Sequence, residues 1–158
     1  MIPILDLFEA HLMVSDLDAA IEFYRDVVGI HPAHVSPIGD AAFFWIGAPG
    51  QALLGLWAGG GGPLRVTTHT AFRASLADVI AAPNTLRDAG VTPLDFSGRA
   101  TKEPVVLAWM PAAAVYFRDP DGNLLEYIAM LPDMPRPELG IIPWGMWDLI
   151  HRPAEMRA

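Results

Sequence analysis

The chain has 158 residues, no cysteine, 53% hydrophobic and 18% charged content, and a formal net charge of −8. That length fits one domain with a real core, and the composition excludes a disordered chain. Without cysteine there is no disulfide, thiolate ligand or cysteine nucleophile, and an acidic balance lacking basic clusters argues against a nucleic-acid partner.

No apolar run approaches the roughly 20 residues of a membrane helix. The start, "MIPILDLFEA", has no basic flank for a signal peptide. The expectation is a cytoplasmic protein with no membrane partner.

Residues 6–14 alternate as a strand does. "SDLDAAIEFYRDVVG" predicts a helix, with Ser15 or Asp16 as its cap, Asp18 in its first turn and Gly29 at its end. Short strands are expected near 30–36, 41–47 and 52–58. The run Gly59 to Pro63 lacks the Lys-Ser/Thr of a phosphate loop and reads as a flexible connector. The pattern then restarts. "RVTTHTAF" is strand-like, and "SLADVIAAPNTLRDAG" is a helix capped by Ser75, with Pro83 expected to kink or shorten it. Strands follow near 91–96, 104–110, 112–118 and 123–130. Aligning His11 with His69 also brings "YRDVVGI" beside "LRDAGV", a weak internal repeat. Two copies of strand, helix and three strands suggest an α+β protein with two open sheets around a cavity. Residues 131–158 form a Pro- and Trp-rich extension, expected to pack on the domain or on a dimer partner.

Glu126 is the anomaly. It shares a strand face with Leu124 and Ile128, while Leu125, Tyr127 and Ala129 take the other. A lone buried carboxylate costs several kcal/mol unless it is paired or binds a metal. Plain explanations are an edge strand, an arginine partner (Arg73, Arg99 or Arg118), or exposure to water. His11 and His69, at matching positions of the repeat, favour a metal. Two imidazoles and a carboxylate suit borderline divalent ions with open coordination positions. His31 and His34, three apart on one strand, should point to opposite faces and chelate poorly. His151 lies in the extension and is discounted. No G-x-S-x-G or G-x-G-x-x-G occurs, so hydrolase and dinucleotide readings lack support.

"HLMVSDLDAAIEFYRDVVGI", "THTAFRASLADV" and above all "VYFRDPDGNLLEYI" resemble the vicinal oxygen chelate superfamily, the glyoxalase/bleomycin-resistance/dioxygenase group. The resemblance implies two βαβββ modules, about 6–58 and 66–130, within one domain spanning 1–130. They would form a cupped, mostly antiparallel sheet around a metal-site cavity, usually in a homodimer. It implies one divalent ion (Fe, Mn, Ni or Zn) on His11, His69 and Glu126, with Glu126 and Tyr116 as catalytic candidates. Glyoxalases of the group typically add a fourth ligand, a Glu on the last strand of the first module, but the corresponding position falls near Gly55, and no Asp or Glu occurs from Ala41 to Ala77. A three-ligand set resembles fosfomycin-resistance transferases and extradiol dioxygenases instead. "GGPLRVTTHTAF" and Tyr116 match the fosfomycin group, whereas Met13 stands where that group places a threonine.

The expected function is a metal-dependent enzyme acting on a small oxygen-chelating substrate, as a lyase, a fosfomycin-type thiol transferase or a dioxygenase-like enzyme. The alternative is a ligand-sequestering protein of the bleomycin-resistance kind, which Phe43, Phe44, Trp45, Trp57 and Trp109 would suit. A structural or regulatory dimer with a vestigial site is the third reading.

Overall fold

The computed structural model describes residues 7–58 and 68–151. The Gly59 to Pro63 connector, and residues 65–67 of the strand expected after it, lie outside them. The fold is α+β, with one four-stranded and one five-stranded sheet among the described residues. Contacts divide the chain into two units. The first runs to Thr68 and takes in the turn Asp119–Gly122; the second comprises His69–Arg118 and the chain from Asn123 onward.

The first unit reads β1 (Glu9–Val14), α1 (Leu17–Asp26), β2 (His31–Val35), β3 (Ala41–Ile46) and β4 (Ala52–Ala58). Its strand order is β1-β4-β3-β2, with β1 parallel to β4 and the other pairs antiparallel. Asp16 is the cap: its extended backbone and its carboxylate, 3.0 Å from the Ala19 N–H, satisfy one orphan donor of the first turn. Gly29, at φ 80, ends the helix where a Cβ would be strained. Leu17, Ala20 and Tyr24 of α1 are buried, as are Leu12, Val14, Phe44, Leu54 and Leu56 of the sheet. Each such large side chain contributes about 1.5–3 kcal/mol by leaving water. The Tyr24 hydroxyl donates to Asp119 Oδ2 at 3.0 Å, and the Ser15 N–H donates to Asp121 Oδ1 at 2.9 Å. The D-P-D-G turn is thereby tied to both ends of α1.

One expectation fails in β2. His31 pairs with Trp45 and Pro32 with Phe44, but His34 pairs with Phe43, so Ala33 is an extra residue in a bulge. The bulge reverses the alternation. Trp45 and Phe43 are two apart on β3 and share a face, and so therefore do His31 and His34.

The second unit reads β5 (His69–Arg73), α2 (Leu76–Asp88), β6 (Val105–Leu107), β7 (Ala112–Arg118), β8 (Leu124–Met130), β9 (Ile141–Pro143) and α3 (Trp144–His151). Its order is β5-β8-β7-β6-β9, with β5 parallel to β8. Ser75 caps α2 by accepting from the Asp78 N–H at 3.1 Å. Pro83 does not shorten α2, which continues to Asp88 with Val79, Ala82, Pro83 and Leu86 buried. Packing of that face outweighs the one backbone hydrogen bond that proline removes.

The strand expected near 91–96 is reduced to bridges from Leu94 to Ala100 and Tyr116. The Asp95 carboxylate accepts from the Ser97 and Arg99 N–H groups at 2.8 and 2.9 Å, and this turn diverts the chain. β6 stops at Leu107, where the Met110 N–H closes a turn on the Leu107 carbonyl at 3.1 Å. The C-terminal segment adds β9 to β6, and Trp147, 1% exposed, enters the core with Val79, Val106, Ala113 and Ala129.

Candidate functional site

The candidate residues fall in two places. In the second unit, His69, Glu126 and Tyr116 come together. Tyr116 and Glu126 are directly paired across β7 and β8, and His69 pairs with Leu124 on the parallel strand β5. Their side chains therefore share the sheet face opposite α2, with Val105, Ala114, Leu124 and Ile128 as apolar neighbours. His69 Nε2 lies 2.9 Å from Glu126 Oε2. The Tyr116 ring is 6.1 Å from the His69 ring and 6.0 Å from that of Phe96.

Glu126 is 5% exposed, and its Oε1 is buried with no hydrogen-bond partner among the described residues. Burial pushes its carboxyl above the usual range, against the opposing pull of His69 and Tyr116. Burial, and then the Glu126 charge, push the Tyr116 phenol up as well, so it stays a neutral donor. No arginine pairs with Glu126 among the described residues; its ion-pair partner is His69.

His11 belongs to the first unit and has its own partners. It pairs with Gly55 on β4, and Gly55 with Phe43 on β3, so one row of that sheet reads His11, Gly55, Phe43, His34. The Trp57 indole N–H donates to His11 Nδ1 at 2.6 Å, and His11 Nε2 lies 3.2 Å from Glu9 Oε1. Phe43 and Trp57 complete an aromatic cluster, each with its ring centroid about 6 Å from that of His11. A Cβ at Gly55 would sit 2.5 Å from His11 Nδ1 and 2.9 Å from its Cε1. The imidazole lies where that side chain would have been. The position at which the resemblance would place a fourth, carboxylate ligand is thus the one directly beside His11.

Among the described residues, no group of three or more His, Asp or Glu side chains is gathered closely enough to hold a metal ion. The second unit's donors fit one: a buried carboxylate with an orphaned oxygen, beside an imidazole, has the chemistry of a cation site. His11 fits only after a change. An indole N–H can only donate, so His11 Nδ1 is an acceptor and Nε2 carries the proton. An imidazole binding a metal through Nε2 must have lost that proton. Sequence reasoning did not find Glu9, and it named Trp57 as an aromatic candidate without its bond to His11. Glu9 was accessible to it, being two residues from His11 on a strand and so on its face; Trp57 depends on the β1–β4 register.

Several solved structures resemble this chain in fold. A lactoylglutathione lyase from Agrobacterium tumefaciens is 26% identical over 80% of this chain and 95% of its own, with a TM-score of 0.61. An integron cassette protein from the mobile metagenome of the Halifax Harbour sewage outfall is 25% identical over 80% of this chain and all of its own, at 0.64. The fosfomycin resistance protein FosX from Listeria monocytogenes shares the fold at 20% identity, covering 84% of this chain and 97% of its own, at 0.58. No curated protein matches the chain. The family model of the Glyoxalase/Bleomycin resistance protein/Dioxygenase superfamily matches residues 5–127, well over half of the chain, and the chain belongs to that superfamily.

Proposed function

We propose that the protein is a metal-dependent enzyme acting on a small oxygen-chelating substrate, with His69 and Glu126 as ligands from one unit and His11 as the third. The observation that carries the reading is Glu126. Its buried carboxylate has an oxygen without a partner among the described residues and an imidazole at 2.9 Å, an arrangement that costs free energy unless a cation is met there. A bound divalent ion would supply Lewis-acid stabilisation of negative charge on a substrate oxygen. Tyr116, held neutral beside Glu126, would donate a hydrogen bond or proton to the substrate. Glu126 would hold the site's negative charge, and the apolar neighbours Val105, Leu124 and Ile128 would keep water from competing. His11 would join on exchanging its Trp57 bond for the other tautomer.

The likeness to a lactoylglutathione lyase supports a lyase, dioxygenase-like chemistry belongs to the same superfamily, and a fosfomycin-type thiol transferase rests on the sequence resemblance alone. Elemental analysis of protein made without chelator should find close to one divalent ion per chain, and His69→Ala should lose most of it. Equal metal content in both proteins would remove the assignment. Turnover of a methylglyoxal–thiol adduct, of fosfomycin with a thiol, or of a catechol then selects the reaction.

A second reading has its own support. The Phe43, Trp57 and His11 rings make an aromatic surface in which His11 is already engaged by Trp57 and Glu9. That surface suits a protein that sequesters a planar ligand without catalysis. Tight binding of such a ligand to protein stripped of metal, with no turnover, would favour it.

A further inference from the structure

His31 and His34 have no part in the site above, and the spacing H-x-x-H alone argues against their cooperation. The bulge at Ala33 changes that. His31 sits opposite Trp45 and His34 opposite Phe43, so the two imidazoles occupy one face of the strand as if they were i and i+2. Pro32 and Val35 oppose Phe44 and Ala42. Phe44 and Ala42 are fully buried, on the α1 side, so the histidine face is the other one. Both histidines are exposed, and β2 is the edge of its sheet. Neither imidazole makes a hydrogen bond or ion pair among the described residues; His34 has one ring contact, with Phe43 at 6.3 Å. The ring nitrogens are therefore free to act as ligands.

We propose that His31 and His34 form a second metal site, a two-imidazole chelate for a borderline divalent cation such as Cu²⁺, Ni²⁺ or Zn²⁺. Positions two apart on a strand are about 7 Å apart along it, a span two imidazoles close on one ion through metal–nitrogen bonds of about 2.1 Å. Imidazole selects these ions over Mg²⁺ and Ca²⁺, and Cu²⁺ binds most tightly of the three. Water fills the remaining positions. Because the bulge sets the geometry, the chelate exists only in the folded strand, so binding also clamps the edge strand against the rest of its sheet.

The test uses the full chain carrying His69→Ala, which disables the site proposed above, with Ni²⁺ as the probe. Calorimetric titration should give one ion per chain. The imidazole ¹⁵N signals of His31 and His34 should change together. His34→Gln should weaken binding by roughly 100-fold, the loss expected when a chelate becomes a single ligand. A control keeps the number of histidines: His31→Ala with Pro32→His places the new imidazole on the α1 side of the strand, and it should bind as weakly as His34→Gln. Circular dichroism checks that each variant is folded. Ni²⁺ binding by His34→Gln at the parent's affinity would overturn the proposal, and so would signals of the two histidines that respond independently. Binding by the control at the parent's affinity would show that the bulge is irrelevant and would overturn it equally.

Discussion

Replacing Glu126 by Gln keeps the side chain's shape and removes its charge. The Glu126 carboxylate is 5% exposed, and its Oε1 has no partner among the described residues; the variant is compared with wild type in protein freed of metal by a chelator. A buried unsatisfied polar group costs about 1–3 kcal/mol. Gln retains some of that cost, because one amide atom still lacks a partner, so the gain belongs near the lower end, about 1 kcal/mol. For a chain of this size 1 kcal/mol corresponds to about 2–4 °C in Tm. The pH dependence follows from the direction of the shift. Burial raises the folded-state pKa of Glu126, so between the ordinary carboxylate value of about 4.3 and the raised value the folded protein binds more protons than the unfolded. Stability is then full below the ordinary value and is lost as pH rises through the folded one. The metal-free wild type and Glu126→Gln should melt together near pH 4.5 and separate by pH 7, with the variant higher. With metal present the order reverses, because binding to the native state stabilises the wild type alone. Scanning calorimetry across this pH range, with and without chelator, measures all of these. A Glu126→Gln variant several degrees less stable than wild type in chelator at pH 7, with unchanged metal content, would refute the reasoning and show that the His69 bond is what holds the carboxylate.

Tyr24→Phe removes the donor to buried Asp119. A hydrogen bond to a charged group is worth about 1.5–3 kcal/mol, so urea melts should lose that much, and a change below about 0.5 kcal/mol would make the tyrosine dispensable to the turn. Gly55→Ala places a Cβ 2.5 Å from His11 Nδ1. It should swing the imidazole out of the Trp57 bond, seen as a change in the His11 ¹⁵N tautomer signature; an unchanged signature would mean that the strand yields instead. Light scattering at low micromolar concentration should give about twice the 17.1 kDa chain mass, as the superfamily's homodimers would; a monomer would count against a site shared between subunits.

Local chemistry wrote much of this protein into its sequence. The caps at Asp16 and Ser75, the positive-φ stop at Gly29 and the alternation that sets Glu126 among apolar residues each act within a few residues, so they are legible one window at a time. The strand near 91–96 was lost to a competitor of the same short range, the Asp95 carboxylate. What sequence could not decide is what depends on which strands pair and in what register. The 2.9 Å meeting of His69 with Glu126 needs a parallel pairing of β5 with β8 across more than fifty residues. The room for His11 needs Gly55 directly opposite it on β4. The shared face of His31 and His34 needs one extra residue in β2, a feature that appears only once β3 supplies a partner strand to count against. Pairing energies come from partners distant in the chain, and a slip of one residue reverses every side chain. For that reason the residue types of the candidate site were readable in advance, while their grouping was decided by the tertiary structure.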